Sequence, residues 1–229
     1  MYKFFEDNFG DNYINLSKEN LKHIKVLRIR ENEEFEVVCD EGKFICVLDG
    51  ERAKVLRRSN VNTESDVKLK LFMGICKGDK METIIKQATE VGVTEFFPVN
   101  MMRSDANYTG KEDKKLNRFK AIALSAAKQS KRDIIPIVHG TIDLDEIGNY
   151  NTGKLIIPYE LEDTKFLKDI EHSKDVSLVI GPEGGFDPIE IEKLREINGE
   201  FISLGKRILR AETAAIVSAF MVIHTWEES

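Results

Sequence analysis

From residue 69 to the C-terminus, continuous apolar runs alternate with segments in which apolar residues recur every three or four positions. The runs at 69–73, 95–99, 134–138, 154–158, 176–180 and 201–204 predict strands. Between them, Lys80 to Val91 places Met81, Ile84, Ile85 and Ala88 on one helical face and stops at Gly92, and a longer helix is predicted over 111–130. A further helix is announced by Asp187 as N-cap, Pro188 in the first helical position, Glu190 closing a capping box and Gly199 just past its end. Ile216, Val217, Phe220 and Ile223 mark an apolar C-terminal helix. Strands that are apolar on both faces and separated by helices imply an α/β fold, with a mostly parallel sheet covered on both sides.

Residues 1–68 follow another grammar. The run 35–39, the turn Asp40-Glu41-Gly42, the run 43–48, the pair Asp49-Gly50 and the run 53–56 predict short antiparallel strands of a small β-barrel. Asn60 to Asp66 is polar and aperiodic, so two domains are expected, 1–68 and 69–229.

The chain has 229 residues, of which 41% are hydrophobic, enough for a core that needs no metal or disulfide. Cys39, Cys46 and Cys76 form no CxxC pair and have no histidine at zinc-ligand spacing, so they are read as reduced core or strand residues and no metal is expected. His139, His172 and His224 are read as structural or surface groups. No apolar stretch approaches the length of a membrane span and the N-terminus carries acids, from which a cytoplasmic protein is expected. A net charge of −6 argues against a nucleic-acid partner, but its distribution argues for one. Residues 103–132 hold nine basic side chains against three acidic ones, and Lys18, Lys22, His23, Lys25, Arg28 and Arg30 form a second cluster. Local patches of this kind bind phosphate backbones.

In parallel sheets, ligands bind beyond the carboxyl ends of strands. Two loops suit that place. Gly181-Pro182-Glu183-Gly184-Gly185-Phe186 lies between a strand and a capped helix, with three glycines in five positions. Leu204 to Ala215 follows the last strand and sets Arg210 and Glu212 beside the apolar Leu209. The chain has no GxxxxGK[ST], GxGxxG, GxSxG or HExxH, which argues against a P-loop, a dinucleotide or Rossmann-type methyltransferase fold, a serine hydrolase and a zincin.

These two loops resemble the paired signature of the SPOUT superfamily of knotted methyltransferases. More narrowly, Lys77-Gly78-Asp79-Lys80-Met81, the run Gln87 to Val93, Gln129-Ser130-Lys131-Arg132 and Pro136 are similar to the ribosomal RNA small subunit methyltransferase E family. His23 to Arg28 resembles the PUA-like RNA-binding domain of that family. The likeness runs over essentially the whole chain. Met102, Lys128 and Asn32-Glu33 depart from the family pattern at RNA-facing positions.

The resemblance implies an N-terminal PUA-like β-barrel and a C-terminal SPOUT domain with a deep trefoil knot, which general topology rules would not suggest. It also implies a homodimer, with S-adenosylmethionine bent inside the knot and 16S rRNA of the small ribosomal subunit held across two subunits. The implied reaction is methylation of N3 of one uridine. Transfer RNA or a ribose 2′-hydroxyl as target, and a non-catalytic RNA-binding assembly factor, remain open alternatives. The expected cofactor contacts are Pro158, Ile180, Gly181, Gly185, Leu204, Gly205, Ile208, Leu209 and Arg210. Arg210, with Arg132 or Arg103, is the candidate to stabilise the uridine anion; Glu212 is the candidate proton acceptor or orienter of Arg210, with Glu183 second. His23, Arg28, Arg30, Arg103 and Arg132 are the expected RNA contacts.

Overall fold

The computed structural model describes residues 1–7 and 9–227 and divides into two units. The first combines Met1–Thr63 with Lys128–Asp133, and the second combines Glu64–Ala127 with Ile134–Ser229.

The first unit is built on a six-stranded sheet. Its strands are β1 (Lys3–Phe5), β2 (Phe9–Gly10), β3 (Tyr13–Asn15), β4 (Phe35–Cys39), β5 (Gly42–Asp49) and β6 (Arg52–Arg58), in the order β1-β4-β5-β6-β3-β2. The hairpin predicted around Asp40 to Gly42 joins β4 to β5, with Cys39 opposite Gly42. Phe4, Ile14, Phe35, Val37 and Phe44 alternate inward to form the core, where Phe4 and Phe35 meet edge to face at 5.4 Å. Helix α1 (Lys18–Leu27) begins at Ser17, whose hydroxyl accepts from Asn20 N at 3.2 Å, and closes on the core through Ile24. It ends at Arg28, which adopts the left-handed conformation.

Four side chains form a charged cluster inside this unit. Lys3 Nζ pairs with Glu36 at 2.8 Å and with Asp133, and Lys43 Nζ reaches the other Asp133 oxygen. Lys3, Glu36 and Asp133 are almost completely buried, so each charge is compensated by a partner and not by water.

The second unit is an α/β sandwich whose paired strands all run parallel. Its elements are β7 (Lys68–Gly74), α2 (Lys80–Val91), β8 (Glu95–Asn100), α3 (Glu112–Ser130), β9 (Ile137–Val138), β10 (Ile142–Asp143), α4 (Ile147–Tyr150), β11 (Lys154–Pro158), β12 (Asp175–Ile180), α5 (Pro188–Glu196), β13 (Glu200–Ile202) and α6 (Ala211–Glu227). The strand order is β10-β8-β7-β12-β11-β13, with β9 also paired to β8. The last turn of α3 belongs to the first unit.

Strand periodicity sends alternate side chains to opposite faces. Leu69, Leu71 and Met73 enter one core with Phe96, Leu178 and Ile180, against α2, α3 and α6. Phe72 enters the other with Phe97, Val99 and Val179, against α4 and α5. The predicted strand over 134–138 shrinks to two residues. Ile134 and Ile135 are 39% and 38% exposed, and Pro136 has no N–H for a ladder. The strand predicted at 201–204 is found at Glu200–Ile202. The three cysteines are free, with Cys46 and Cys76 buried.

Candidate active site

Strands β13, β11 and β12 lie side by side and end at Ile202, Pro158 and Ile180. The segments leaving them enclose a cleft of about 520 Å³, to which α2 contributes Lys80 and α6 contributes Ala214. The cleft stands beyond the carboxyl ends of the strands, beside the place where strand order reverses between β7 and β12.

Glycine lets the backbone form this wall. Gly185 has a φ of +68°, and a Cβ there would stand 3.0 Å from Glu160 Oε1 on the opposite side. At Gly184 a Cβ would stand 2.9 Å from both the Cβ and the carbonyl oxygen of Arg103. Arg103 therefore lies against the loop, donating to the Gly184 carbonyl at 3.5 Å and to Asp187 Oδ2 at 3.4 Å. Asp187 caps α5: its Oδ1 accepts from Ile189 N at 3.1 Å, and Glu190 Oε2 accepts from Asp187 N at 2.8 Å. The loop is thus fastened by a helix start on one side and an arginine on the other.

Charge is concentrated where α2, the glycine loop and α6 converge. Lys80 Nζ lies 3.0 Å from Glu183 Oε1 and 3.6 Å from Glu212 Oε2. Glu183 Oε1 also accepts from the backbone N–H of Lys77 at 3.1 Å. Burial pushes the Glu183 carboxyl up, but the Lys80 bond and backbone donors outweigh it and hold the group below its ordinary range. The Glu183 hydrogen bond in turn raises Lys80. Burial, reinforced by the negative charge of Glu183, pushes the Cys76 thiol up to about 12, so it is neutral beside these ions. Glu212 Oε2 is buried and accepts no hydrogen bond, an unusual condition for a carboxylate oxygen.

All nine residues expected to hold a cofactor line this one cleft: Pro158, Ile180, Gly181, Gly185, Leu204, Gly205, Ile208, Leu209 and Arg210. Glu183 lines it too, and Glu212 stands next to the lining residue Ala211, in the first turn of α6. Ile208 is 87% exposed at the rim. Of the expected RNA contacts, His23, Arg28 and Arg30 belong to the first unit, where Arg28 and Arg30 are exposed and the ring of His23 meets Phe4 edge-on at 5.8 Å. Arg132 belongs to the same unit and is 4% exposed, so its guanidinium is buried and not presented at the surface. Arg103 is the member that touches the glycine loop.

Tyr159, Glu160 and Phe186 also line the cleft, and Lys80 joins its two carboxylates. The signal for Tyr159 and Glu160 was their position directly after an apolar strand, the same rule that marked the glycine loop. Lys80 lies within the motif Lys77 to Met81, but nothing in that motif says that its side chain faces α6. The arrangement offers backbone and apolar surface for a ligand of cofactor size, a cation at Arg210, and a buried oxygen with no donor at Glu212.

Residues 63–223 match the RNA methyltransferase domain family. Over 222 residues the chain is 34% identical to ribosomal RNA small subunit methyltransferase E of Mesomycoplasma hyopneumoniae (strain 232), covering 94% of this chain and 96% of that one. It is 30% identical over 238 residues to the protein of the same name from Bacillus subtilis (strain 168), covering 93% of this chain and 90% of that one. The crystal structure of a ribosomal RNA small subunit methyltransferase E from Neisseria gonorrhoeae bound to S-adenosyl methionine superposes with a TM-score of 0.88. Sequence identity is 29%, and 99% of this chain and 98% of that one are covered.

Proposed function

The chain belongs to the RNA methyltransferase family, among the ribosomal RNA small subunit methyltransferase E proteins, and from that premise we propose that it uses S-adenosylmethionine to methylate N3 of one uridine in 16S rRNA. The observation that carries this reading is the cleft at the ends of β11, β12 and β13. A glycine-built wall and the Lys80 ammonium, which lies 3.0 Å from Glu183 and 3.6 Å from Glu212, meet there.

The residues fit the cofactor. Gly181, Gly185 and Gly205 offer main chain without side chains in the way, and Pro158, Ile180, Leu204, Ile208 and Leu209 offer apolar surface. Bound S-adenosylmethionine supplies a methyl carbon made electrophilic by a sulfonium sulfur. The remaining task falls to the protein, because uridine N3 carries a weakly acidic proton. Glu212 accepts that proton. Arg210 faces the negative charge that develops on the uracil carbonyl oxygens. Fixing the base at near-attack distance supplies the rest of the rate.

The first domain, 1–68, acts as a PUA-like RNA-binding barrel, with His23, Arg28 and Arg30 on phosphates, and the second, 69–229, as the methyltransferase, with Arg103 at its RNA-facing side. The second contains a deep trefoil knot. This reading is supported by the path from β13, at the sheet edge, to α6, which packs on β7 and β12 in the middle. A homodimer is supported by Val217 and Phe220, which α6 leaves exposed with Ile208 nearby in sequence. None of the helices among the described residues is long and apolar enough to cross a membrane.

The deciding experiment is incubation with labelled S-adenosylmethionine and 30S particles from a strain lacking this activity, followed by nucleoside analysis. Label in 3-methyluridine is expected. Label in a ribose 2′-hydroxyl, in tRNA only, or nowhere would overturn the reading, and the last together with absent cofactor binding would leave an RNA-binding assembly factor.

A further inference from the structure

We propose that Lys80 is a positioning residue: its ammonium, anchored on Glu183, holds the Glu212 carboxylate from its buried Oε2 side and so fixes the orientation of the proposed base. This inference rests on the proposed function, in which Glu212 is the base.

The two distances from Lys80 are unequal in a way that matters. At 3.0 Å from Glu183 the ammonium donates a hydrogen bond; at 3.6 Å from Glu212 it attracts but does not donate. A lysine serving only to neutralise two acids would be expected to bond both. Here the second carboxylate receives charge without losing its acceptor, and Oε2 remains buried with no donor. The three groups come from different elements, namely the start of α2, the glycine loop and the first turn of α6, so their meeting depends on the folded cleft.

The surroundings leave this role to Lys80. Lys77 turns its side chain to Asp105 at 2.7 Å and contributes only its backbone N–H to Glu183. The Cys76 thiol, which senses both glutamates and Lys80, is neutral, and burial raises Tyr108 beside it as well. When the proton leaves N3 for the Glu212 carboxylate, the uracil ring gains the negative charge, Glu212 becomes a neutral carboxyl, and Lys80 keeps its charge on Glu183. Glu183 thus serves as the fixed counter-ion that keeps the ammonium in place through the transfer.

The test uses the full-length protein carrying Lys80→Met, Lys80→Arg, Glu212→Gln or Lys80→Met with Glu212→Gln. Cofactor affinity is read by calorimetry, and kcat and KM on 30S particles. Lys80→Met should leave affinity within about threefold and lower kcat by about 10–100-fold at neutral pH, with KM for the particles nearly unchanged. Lys80→Arg should restore most of kcat, and Lys80→Met should cost nothing further once Glu212 is Gln. An unchanged kcat in Lys80→Met, or an additional loss in the double variant, would overturn the inference. Full activity of Glu212→Gln would overturn the assignment of the base instead. Should Lys80→Met fail to fold, Lys80→Gln, which keeps a donor for Glu183, takes its place with the same readouts.

Discussion

Gly74, the last residue of β7, lies so close to Pro182 that a Cβ on it would stand 2.6 Å from both the ring Cδ and the backbone nitrogen of the proline. Met101 Sδ closes the other side at 3.0 Å. The glycine loop after β12 therefore rests directly on the end of its neighbour strand. Gly74→Ala should push that loop away, costing about 1–3 kcal/mol of stability as overpacking does and weakening cofactor affinity at the same time. Urea unfolding and calorimetry on the same protein would show the two losses together. A stable variant with unchanged affinity would mean the loop is not held by this contact.

Gly185→Val addresses the ligand side of the same loop. The residue has φ +68°, where a β-branched side chain is strained, and its new atoms would point at Glu160. Cofactor binding should fall by at least about tenfold, equivalent to about 1.4 kcal/mol, while thermal melting still shows a cooperative transition. Normal affinity in a titration would contradict the placement of the cofactor.

Replacing the proposed base and charge stabiliser separates chemistry from binding. Glu212→Gln should lower kcat by about 10²–10⁴-fold, and Arg210→Ala by about 10²–10³-fold, each with cofactor still bound. Full methylation by both variants would remove their assigned roles.

The first unit offers a test independent of catalysis. Burial pushes the Asp133 carboxyl up, but hydrogen bonds from Lys3 and Lys43 outweigh this and hold it below its ordinary value of 3.8. Its contribution to stability is therefore complete above about pH 4 and is lost as pH falls through the lower, folded-state value. Asp133→Asn should cost about 3–5 kcal/mol near neutrality, since it leaves Lys3 buried with one partner fewer. The gap between wild type and variant, followed by denaturant melts, should narrow on acidification. A gap that widens would reverse the sign of the argument.

Local signals carried much of this structure. The helix over Lys80–Val91, the strand at Lys154–Pro158 and the capping box at Asp187 and Glu190 stand where period and end chemistry put them. β1, β2 and β3 were not legible, because two or three residues are too few to show a period, and Lys3 is buried there despite its charge. The short helical turns between Leu144 and Tyr150 were missed for the same reason. In the cleft, glycines and the Leu204 to Arg210 segment could be read directly. Lys80 could not, since its meeting with Glu183 and Glu212 depends on α2, the loop after β12 and α6 converging, which is not written in any one segment.

The six residues Lys128–Asp133, which complete the first unit from the far end of α3, have a consequence for biosynthesis. A nascent chain that has emerged only as far as Thr63 holds every strand of the first sheet, yet Lys43 lacks the aspartate that pairs with it and Lys3 has Glu36 alone. The N-terminal part gains that last partner only once Asp133 has emerged, after β7, α2 and β8. A fragment truncated after residue 63 would inherit the same deficit permanently, however well chosen its end appeared.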